Sequence, residues 1–302
     1  MNKTLFLVFD KKLYFYNYCS DNNVDCEQVF VNNKYLFIIC HILKRIGLYV
    51  PHFLYGNWKN KLSDYSKIVF SDWSYFPDLF FYIKKNTSAK LFFYYMNELH
   101  SISQKYLKLN KLKEVFDINC IYTYSNLDAL ENKINFLPLP YKKINIKEDN
   151  LIYDFLYIGR NKNRESILND FYEKLNDRYS FKIMIYGTKN LKFRIKRFVS
   201  YYDYVTKYLS KSKTLIDFSN SNQAPMNLRM LESLFYNKKV ITNNINIKNY
   251  PIYETNKNNI LIIDFNNFNI DDIRNFMNKD IAPVGESEYL SYSFENWINS
   301  FK

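Results

Sequence analysis

Residues 214–242, TLIDFSNSNQAPMNLRMLESLFYNKKVIT, decide the fold. Thr214–Phe218 is a short, mostly apolar run, the pattern of a strand buried on both faces. A polar loop follows, Pro225 opens a helix that runs to Tyr236, and a short basic turn leads into a second apolar run, Lys239–Thr242. Strand, helix and strand in succession predict a βαβ unit with its two strands parallel.

The same alternation extends outward. Ile260–Asp264 reads as a further strand, and upstream Tyr153–Ile158 and Phe181–Tyr186 read as strands, with helices over Arg164–Arg178 and Leu191–Tyr202. Lys142–Asn150 is polar, charged and without period, as an interdomain linker is. Before it the rhythm repeats. Strands are expected at Thr4–Phe9, Leu48–Phe53, Lys67–Asp72, Ala89–Met96 and Cys120–Ser125, and helices over Gln28–Gly47, from Pro77, and over Ser101–Phe116. The expectation is an α/β protein of two Rossmann-like, doubly wound domains, 1–145 and 146–285, facing a cleft. An aromatic-rich C-terminal helix within 286–302 is expected to pack back on the first domain.

Composition agrees with two folded domains. The chain has 302 residues, 47% hydrophobic and 24% charged, which excludes disordered and fibrous classes. Its net charge of +12 attracts anions, whether nucleic acid, an acidic membrane face or a phosphorylated substrate, or simply keeps the protein soluble. Cys19, Cys26, Cys40 and Cys120 include no C-x-x-C pair, so reduced, cytosolic thiols are expected. Asp10, Lys11 and Lys12 cut the first apolar run short of a signal peptide, and no stretch approaches the roughly 18 apolar residues of a spanning helix. A cytoplasmic protein, at most resting on a membrane surface, is expected.

With five glycines, the chain has neither the dinucleotide fingerprint nor the P-loop, and it lacks the Asp-x-Asp clamp for a metal-bound diphosphate. A diphosphate would have to be neutralised by basic side chains and helix N-termini. Two places offer them. After the strand Tyr153–Ile158 comes Gly159-Arg160-Asn161-Lys162-Asn163-Arg164, a glycine turn with three cations at the strand edge where open α/β sheets bind ligands. On the helix after Pro225, Arg229 and Glu232 are three apart and share a face, an arginine for phosphate beside a glutamate for ribose hydroxyls. Gly187, closing Phe181–Tyr186, and Asn227, at the helix start, complete this expected donor site. An ordinary basic turn and a surface ion pair account for the same residues.

The runs YIGRNKNRESIL (157–168), FKIMIYG (181–187) and LIDFSNSNQAPMNLRMLESLFYNKKVITNN (215–244) together resemble the donor domain of GT-B fold glycosyltransferases, especially bacterial enzymes of capsule and lipopolysaccharide assembly. The resemblance covers Tyr153–Asp264. It implies that Gly159, Arg160 and Arg164 face the donor diphosphate and Glu232 the ribose. The chain departs from the family in lacking the glycine-rich turn after the first strand. It also lacks a second glutamate upstream of Glu232, where Asn222, Gln223 and Ala224 stand.

By the same resemblance the catalytic base of an inverting enzyme lies on the acceptor side, where Asp72, Glu98 and His100 follow two expected strands. Each of them could equally be a helix cap or a loop residue. The Leu191–Tyr202 helix would carry Lys192, Arg194, Lys196 and Arg197 on one face, either toward anionic lipid or into solvent. The expected function is transfer of a sugar from a nucleotide-sugar donor to a surface-glycan or lipid-linked saccharide acceptor, with no cofactor, no essential metal and no nucleic acid. The alternatives are a basic nucleic-acid-binding protein and a non-catalytic paralogue that binds glycans or partner enzymes.

Overall fold

The computed structural model describes residues 3–9, 23–45, 48–146, 150–219 and 225–302. They form two units, Met1–Pro140 with Phe294–Lys302, and Tyr141–Ser293.

The first unit contains β1 (Lys3–Val8), β2 (Val24–Gln28), α1 (Lys34–Arg45), β3 (Tyr65–Ser71), α2 (Pro77–Asn86), β4 (Lys90–Tyr95), α3 (Leu109–Leu112), β5 (Ile121–Thr123), α4 (Asn126–Asn132) and β6 (Asn135–Phe136). Its strands pair in parallel in the order β2-β1-β3-β4-β5-β6. Successive residues of β1 enter opposite cores, as a parallel sheet covered on both faces requires. Leu5 and Leu7 join a cluster with Phe30, Trp58 and Phe70, while Phe6 and Val8 join one with Phe92, Tyr94 and Trp297.

The second unit runs β7 (Tyr153–Arg160), α5 (Glu165–Leu175), β8 (Phe181–Tyr186), β9 (Arg194–Ile195), α6 (Tyr201–Asp203), β10 (Ser212–Asp217), α7 (Leu228–Phe235), β11 (Lys239–Thr242), α8 (Pro251–Asn256), β12 (Ile260–Ile262), α9 (Ile270–Asn278) and α10 (Glu286–Leu290). Its order is β12-β11-β10-β7-β8-β9, again parallel. Numbered within the unit and read from the β9 edge this is 3-2-1-4-5-6, the dinucleotide-fold order, whose ligand crevice opens between the first and fourth strands, here β7 and β10. The last helix, α11 (Phe294–Asn299), belongs to the first unit: Trp297 lies 5.2 Å from Phe6 and 5.0 Å from Tyr94, edge to face.

Several elements differ from the sequence expectation. Leu48–Phe53 is not a strand. The second strand is β2, VDCEQ, whose buried Val24, Cys26 and Gln28 alternate with half-buried Asp25 and Glu27; with only two apolar residues it is too short and too polar to stand out as a strand. Ser101–Phe116 divides into single turns and the four-residue α3. Leu191–Tyr202 is not a helix: the Ile185 amide donates to the Phe193 carbonyl at 2.7 Å, and β9 pairs with β8. Satisfying the backbone of an open sheet edge outweighs the amphipathic spacing there. The C-terminal aromatic stretch is broken at Ser291–Ser293 into α10 and α11. Of the linker segment, Ile144 is anchored by Tyr236, whose hydroxyl accepts from its amide at 2.8 Å and donates to its carbonyl at 3.1 Å. Cys26, Cys40 and Cys120 are free, buried thiols, and Cys19 lies outside the described residues.

Candidate functional site

The carboxyl ends of β7 and β10 are joined through Arg229. Its Nη2 donates to the Ile158 carbonyl at 2.7 Å, its Nη1 lies 3.8 Å from Asp217 Oδ1, and its guanidinium sits 4.8 Å from the Tyr157 ring centroid. Asp217 is completely buried, which a carboxylate tolerates only when paired and hydrogen-bonded. Beyond its ion pair with Arg229 it accepts hydrogen bonds from Asn227 Nδ2 and, at 2.9 Å, from Thr242 Oγ1. Asn227 is also the N-cap of α7, its Oδ1 accepting from the amides of Arg229 at 3.0 Å and Met230 at 3.4 Å. The helix thus starts at Leu228, three residues later than Pro225 suggested. Two of the amides that sequence reasoning offered to an anion are satisfied by this cap, and residues 220–224 of the preceding loop lie outside the described residues.

Gly159 has a steric reason to be glycine. A Cβ there would meet the Tyr157 hydroxyl at 3.0 Å and Arg229 Nη2 at 3.1 Å. Beyond it, Lys162 and Asn163 have φ of 41° and 64°. They adopt the left-handed conformation that glycine usually supplies, and which costs a non-glycine residue on the order of 1 kcal/mol. Arg164 Nη1 approaches the Tyr157 hydroxyl at 3.4 Å, and that hydroxyl donates to the Arg160 carbonyl at 3.3 Å. Tyr157 therefore ties the two sequence constellations into one place. Arg160 and Lys162 are exposed, with the Arg160 guanidinium 5.0 Å from the Phe198 ring centroid. Although Lys162 is exposed as a residue, partial desolvation of its ammonium, reinforced by repulsion from Arg164 and Arg160, holds it below the usual lysine range. An anion at this turn would relieve that repulsion. Gly187, at φ 79°, has open space where its Cβ would be.

Glu232 lies one turn along α7 and is 2% exposed. Its Oε1 accepts from the Tyr201 hydroxyl at 3.1 Å and its Oε2 from the Tyr204 hydroxyl at 2.7 Å. Tyr201 in turn lies 2.6 Å, oxygen to oxygen, from Tyr141. Burial pushes the Glu232 carboxyl up to about 7, although the Tyr204 hydrogen bond and the Arg229 charge favour the ionised form. Tyr204 opens a π-helical segment, Tyr204–Leu209, a rare winding that is frequent at functional sites.

In the first unit Asp72 follows β3, next to the point where the strand order reverses between β1 and β3. It is 3% exposed. Its Oδ1 accepts from the Met96 amide at 3.2 Å and its Oδ2 from Asn97 Nδ2 at 2.7 Å, and burial raises it to about 6. Glu98 is buried beyond β4 and His100 exposed on the turn that follows. Among the described residues no group of three or more His, Cys, Asp or Glu could hold a metal ion, and no helix is long and apolar enough to cross a membrane.

No protein-family model and no curated protein matches the chain. Solved structures do. A mutant of S. aureus TarM, in complex with fondaparinux, α-GlcNAc-glycerol and UDP, aligns at 17% identity and TM-score 0.45, over 88% of this chain and 59% of its own length. The chain thus spans less than two thirds of that protein. Methanocaldococcus jannaschii UDP-GlcNAc 2-epimerase, in complex with UDP-GlcNAc and UDP, aligns at 11% identity and TM-score 0.46 over 100% of both chains. Sucrose-phosphate synthase from Thermosynechococcus elongatus aligns at 10% identity and TM-score 0.42, over 100% of this chain and 90% of that one.

Sequence reasoning named Gly159, Arg164, Arg229 and Glu232 but missed Tyr157, Asp217, Tyr201 and Tyr204. Asp217 had a signal, a single charge closing an apolar strand. The tyrosines had none, because Tyr201 and Tyr204 lie 31 and 28 residues from Glu232 in sequence and meet it only in the fold.

Proposed function

We propose that this protein is a glycosyltransferase of GT-B type that moves a sugar from a nucleotide-sugar donor to a surface glycan, of capsule, lipopolysaccharide or O-antigen class, in the cytoplasm. The observation that carries this reading is the meeting of the Gly159–Arg164 turn with Arg229 at the crevice between β7 and β10. Arg160, Lys162 and Arg164 there supply positive charge for a diphosphate without a metal ion, and Gly187 leaves room beside them. Charge fixed where the leaving phosphate gathers its own stabilises the breaking glycosidic bond. Arg229 and Asn227 organise the crevice, and Glu232 serves the ribose through one of its two oxygens once a tyrosine yields it.

In this reading the bond from the sugar to the diphosphate breaks, a bond from the acceptor oxygen to the sugar forms, and the acceptor proton passes to a base. Asp72 is the base we favour, since a carboxyl raised to about 6 by burial accepts a proton more readily near neutral pH than an ordinary aspartate. Glu98 and His100 are the further candidates.

The experiment is a turnover assay. The purified chain is incubated with uridine, guanosine, cytidine and adenosine diphosphosugars and with lipid-linked or polymeric glycans, with and without a chelator, and release of the nucleoside diphosphate is followed. Acceptor-dependent release from one donor, unaffected by chelator, supports the proposal. Donor binding with no release would make the chain a non-catalytic paralogue. Salt-sensitive binding to random oligonucleotides with no response to any nucleotide would make it a nucleic-acid-binding protein.

A further inference from the structure

The first unit carries a helix that is apolar on both sides. On α1, Cys40 is fully buried, and Leu36 and Leu43 pack on the core beneath it, the i, i+4, i+7 stripe that docks a helix. The opposite stripe of such a helix is ordinarily polar. Here it holds Tyr35, Ile38, Ile39 and Ile42, exposed by 75%, 47%, 48% and 51%. The surface continues past the helix. Leu48 returns its amide to the Leu43 carbonyl at 2.9 Å, Tyr49 packs edge-on against His52, and Phe53 stands 74% exposed at the next turn. Isolated exposed apolar side chains need no explanation, but a contiguous set this size marks a binding surface.

Charge selects the partner. From Gln28 to Ser63 the sequence holds no Asp or Glu and five Lys or Arg. Lys59 is fixed at the edge of the surface, its Nζ donating to the carbonyls of His52 at 3.2 Å, Phe53 at 3.1 Å and Tyr55 at 3.2 Å. His52 also packs 4.4 Å from Tyr82 of α2, whose last turn presents the exposed Lys84 and Lys85. The nearby carboxylate Asp78 accepts from the Val50 amide. Apolar and aromatic side chains bordered by the held Lys59 and the exposed Lys84 and Lys85 fit the interface of a bilayer that carries acidic headgroups. A protein partner would need a carboxylate rim and an apolar centre of matching shape. We infer that the face formed by Tyr35, Ile38, Ile39, Ile42, Tyr49 and Phe53 docks on an anionic lipid bilayer. The inference stands apart from the donor-site reading, because it is tested without nucleotide or turnover.

The test is vesicle flotation of the full chain with phosphatidylcholine alone and with phosphatidylcholine mixed with phosphatidylglycerol. The wild type is expected to float with the mixed vesicles and not with the neutral ones, and to be released by salt. The double variant Ile38→Asn/Ile42→Asn, with unchanged circular dichroism and Tm, is expected to bind about tenfold more weakly or worse. Phe53→Ala, a change at a highly exposed site, tests the same surface where the double variant does not fold. Lys84→Glu/Lys85→Glu should weaken binding and flatten its salt dependence. Failure of the wild type to float, or equal flotation of the folded apolar variants, overturns the inference. A concentration-dependent dimer that these substitutions dissolve, with no vesicle binding, assigns the face to a second copy of the chain instead.

Discussion

The Tyr204 hydroxyl donates to Glu232 Oε2 at 2.7 Å, inside a cluster where the glutamate is 2% exposed. A buried carboxyl held by neutral hydroxyls is poised between its two protonation states, because burial favours the acid and the hydrogen bonds favour the anion.

The first prediction concerns pH. Burial raises Glu232 to about 7 and Asp72 to about 6, so each binds its proton more tightly in the folded than in the unfolded chain. The stability each contributes is fully present below the unfolded carboxyl range of about 4 and is lost as pH rises through the folded value. Stability should therefore fall between about pH 4 and pH 8. Glu232→Gln should flatten that slope by up to about 3 kcal/mol, at about 1.4 kcal/mol per unit. Urea unfolding of both proteins across this range measures it, and parallel curves would refute the assignment.

Removing the donor should act in the opposite direction and steepen the fall of stability with pH, because the Tyr204 hydrogen bond favours the ionised carboxylate. Tyr204→Phe leaves a carboxylate oxygen without its partner, at a cost of about 1–3 kcal/mol above pH 8 and less below about pH 5, where the acid is protonated. Chemical denaturation at the two pH values separates this from a simple packing loss, which would be equal at both.

Arg229 is expected to matter for stability before it matters for any ligand. Arg229→Ala strips the fully buried Asp217 of its guanidinium and the Ile158 carbonyl of its donor, with an expected loss of about 3 kcal/mol. Asp217→Asn in that background should recover part of the loss. A double-mutant cycle by thermal unfolding reads the coupling, and strict additivity would mean the two side chains do not interact.

At Gly159, substitution by Ala forces the Tyr157 hydroxyl or Arg229 to move by a few tenths of an ångström. An expected cost of about 1–2 kcal/mol follows from overpacking of this kind. Calorimetry checks it, and Gly187→Ala is the control. Nothing crowds Gly187, so its cost comes from φ 79° alone.

How much of this was legible in the sequence depends on the range of the interactions. The βαβ rhythm of residues 214–242 is carried by local apolar spacing, and β10, α7 and β11 form where it points. Local spacing fails where a long-range requirement outweighs it. The Phe193 carbonyl is taken by the edge of β8 although its segment reads as an amphipathic helix, and β2 forms beside β1 although its five residues include only two apolar ones, Val24 and Cys26. In the candidate site, Arg160, Arg164, Arg229 and Glu232 stood out because charged residues beside strand ends are visible one at a time. Of the partners that fix them, Asp217 showed as a lone charge closing an apolar strand, whereas Tyr157, Tyr201 and Tyr204 are conventional strand and helix residues until the fold brings them together.

The central claim, that the Gly159–Arg164 turn beside Arg229 binds a nucleoside diphosphate, is tested most directly by thermal shift. Uridine, guanosine, cytidine and adenosine diphosphates are compared with and without magnesium, for the wild type, Arg164→Ala and Lys162→Gly. One base should stabilise the wild type without magnesium, by roughly 2.7 kcal/mol at about 100 times its Kd, and both variants should need more ligand for the same shift. No shift with any of the four, or a shift that the two substitutions leave unchanged, would contradict the claim.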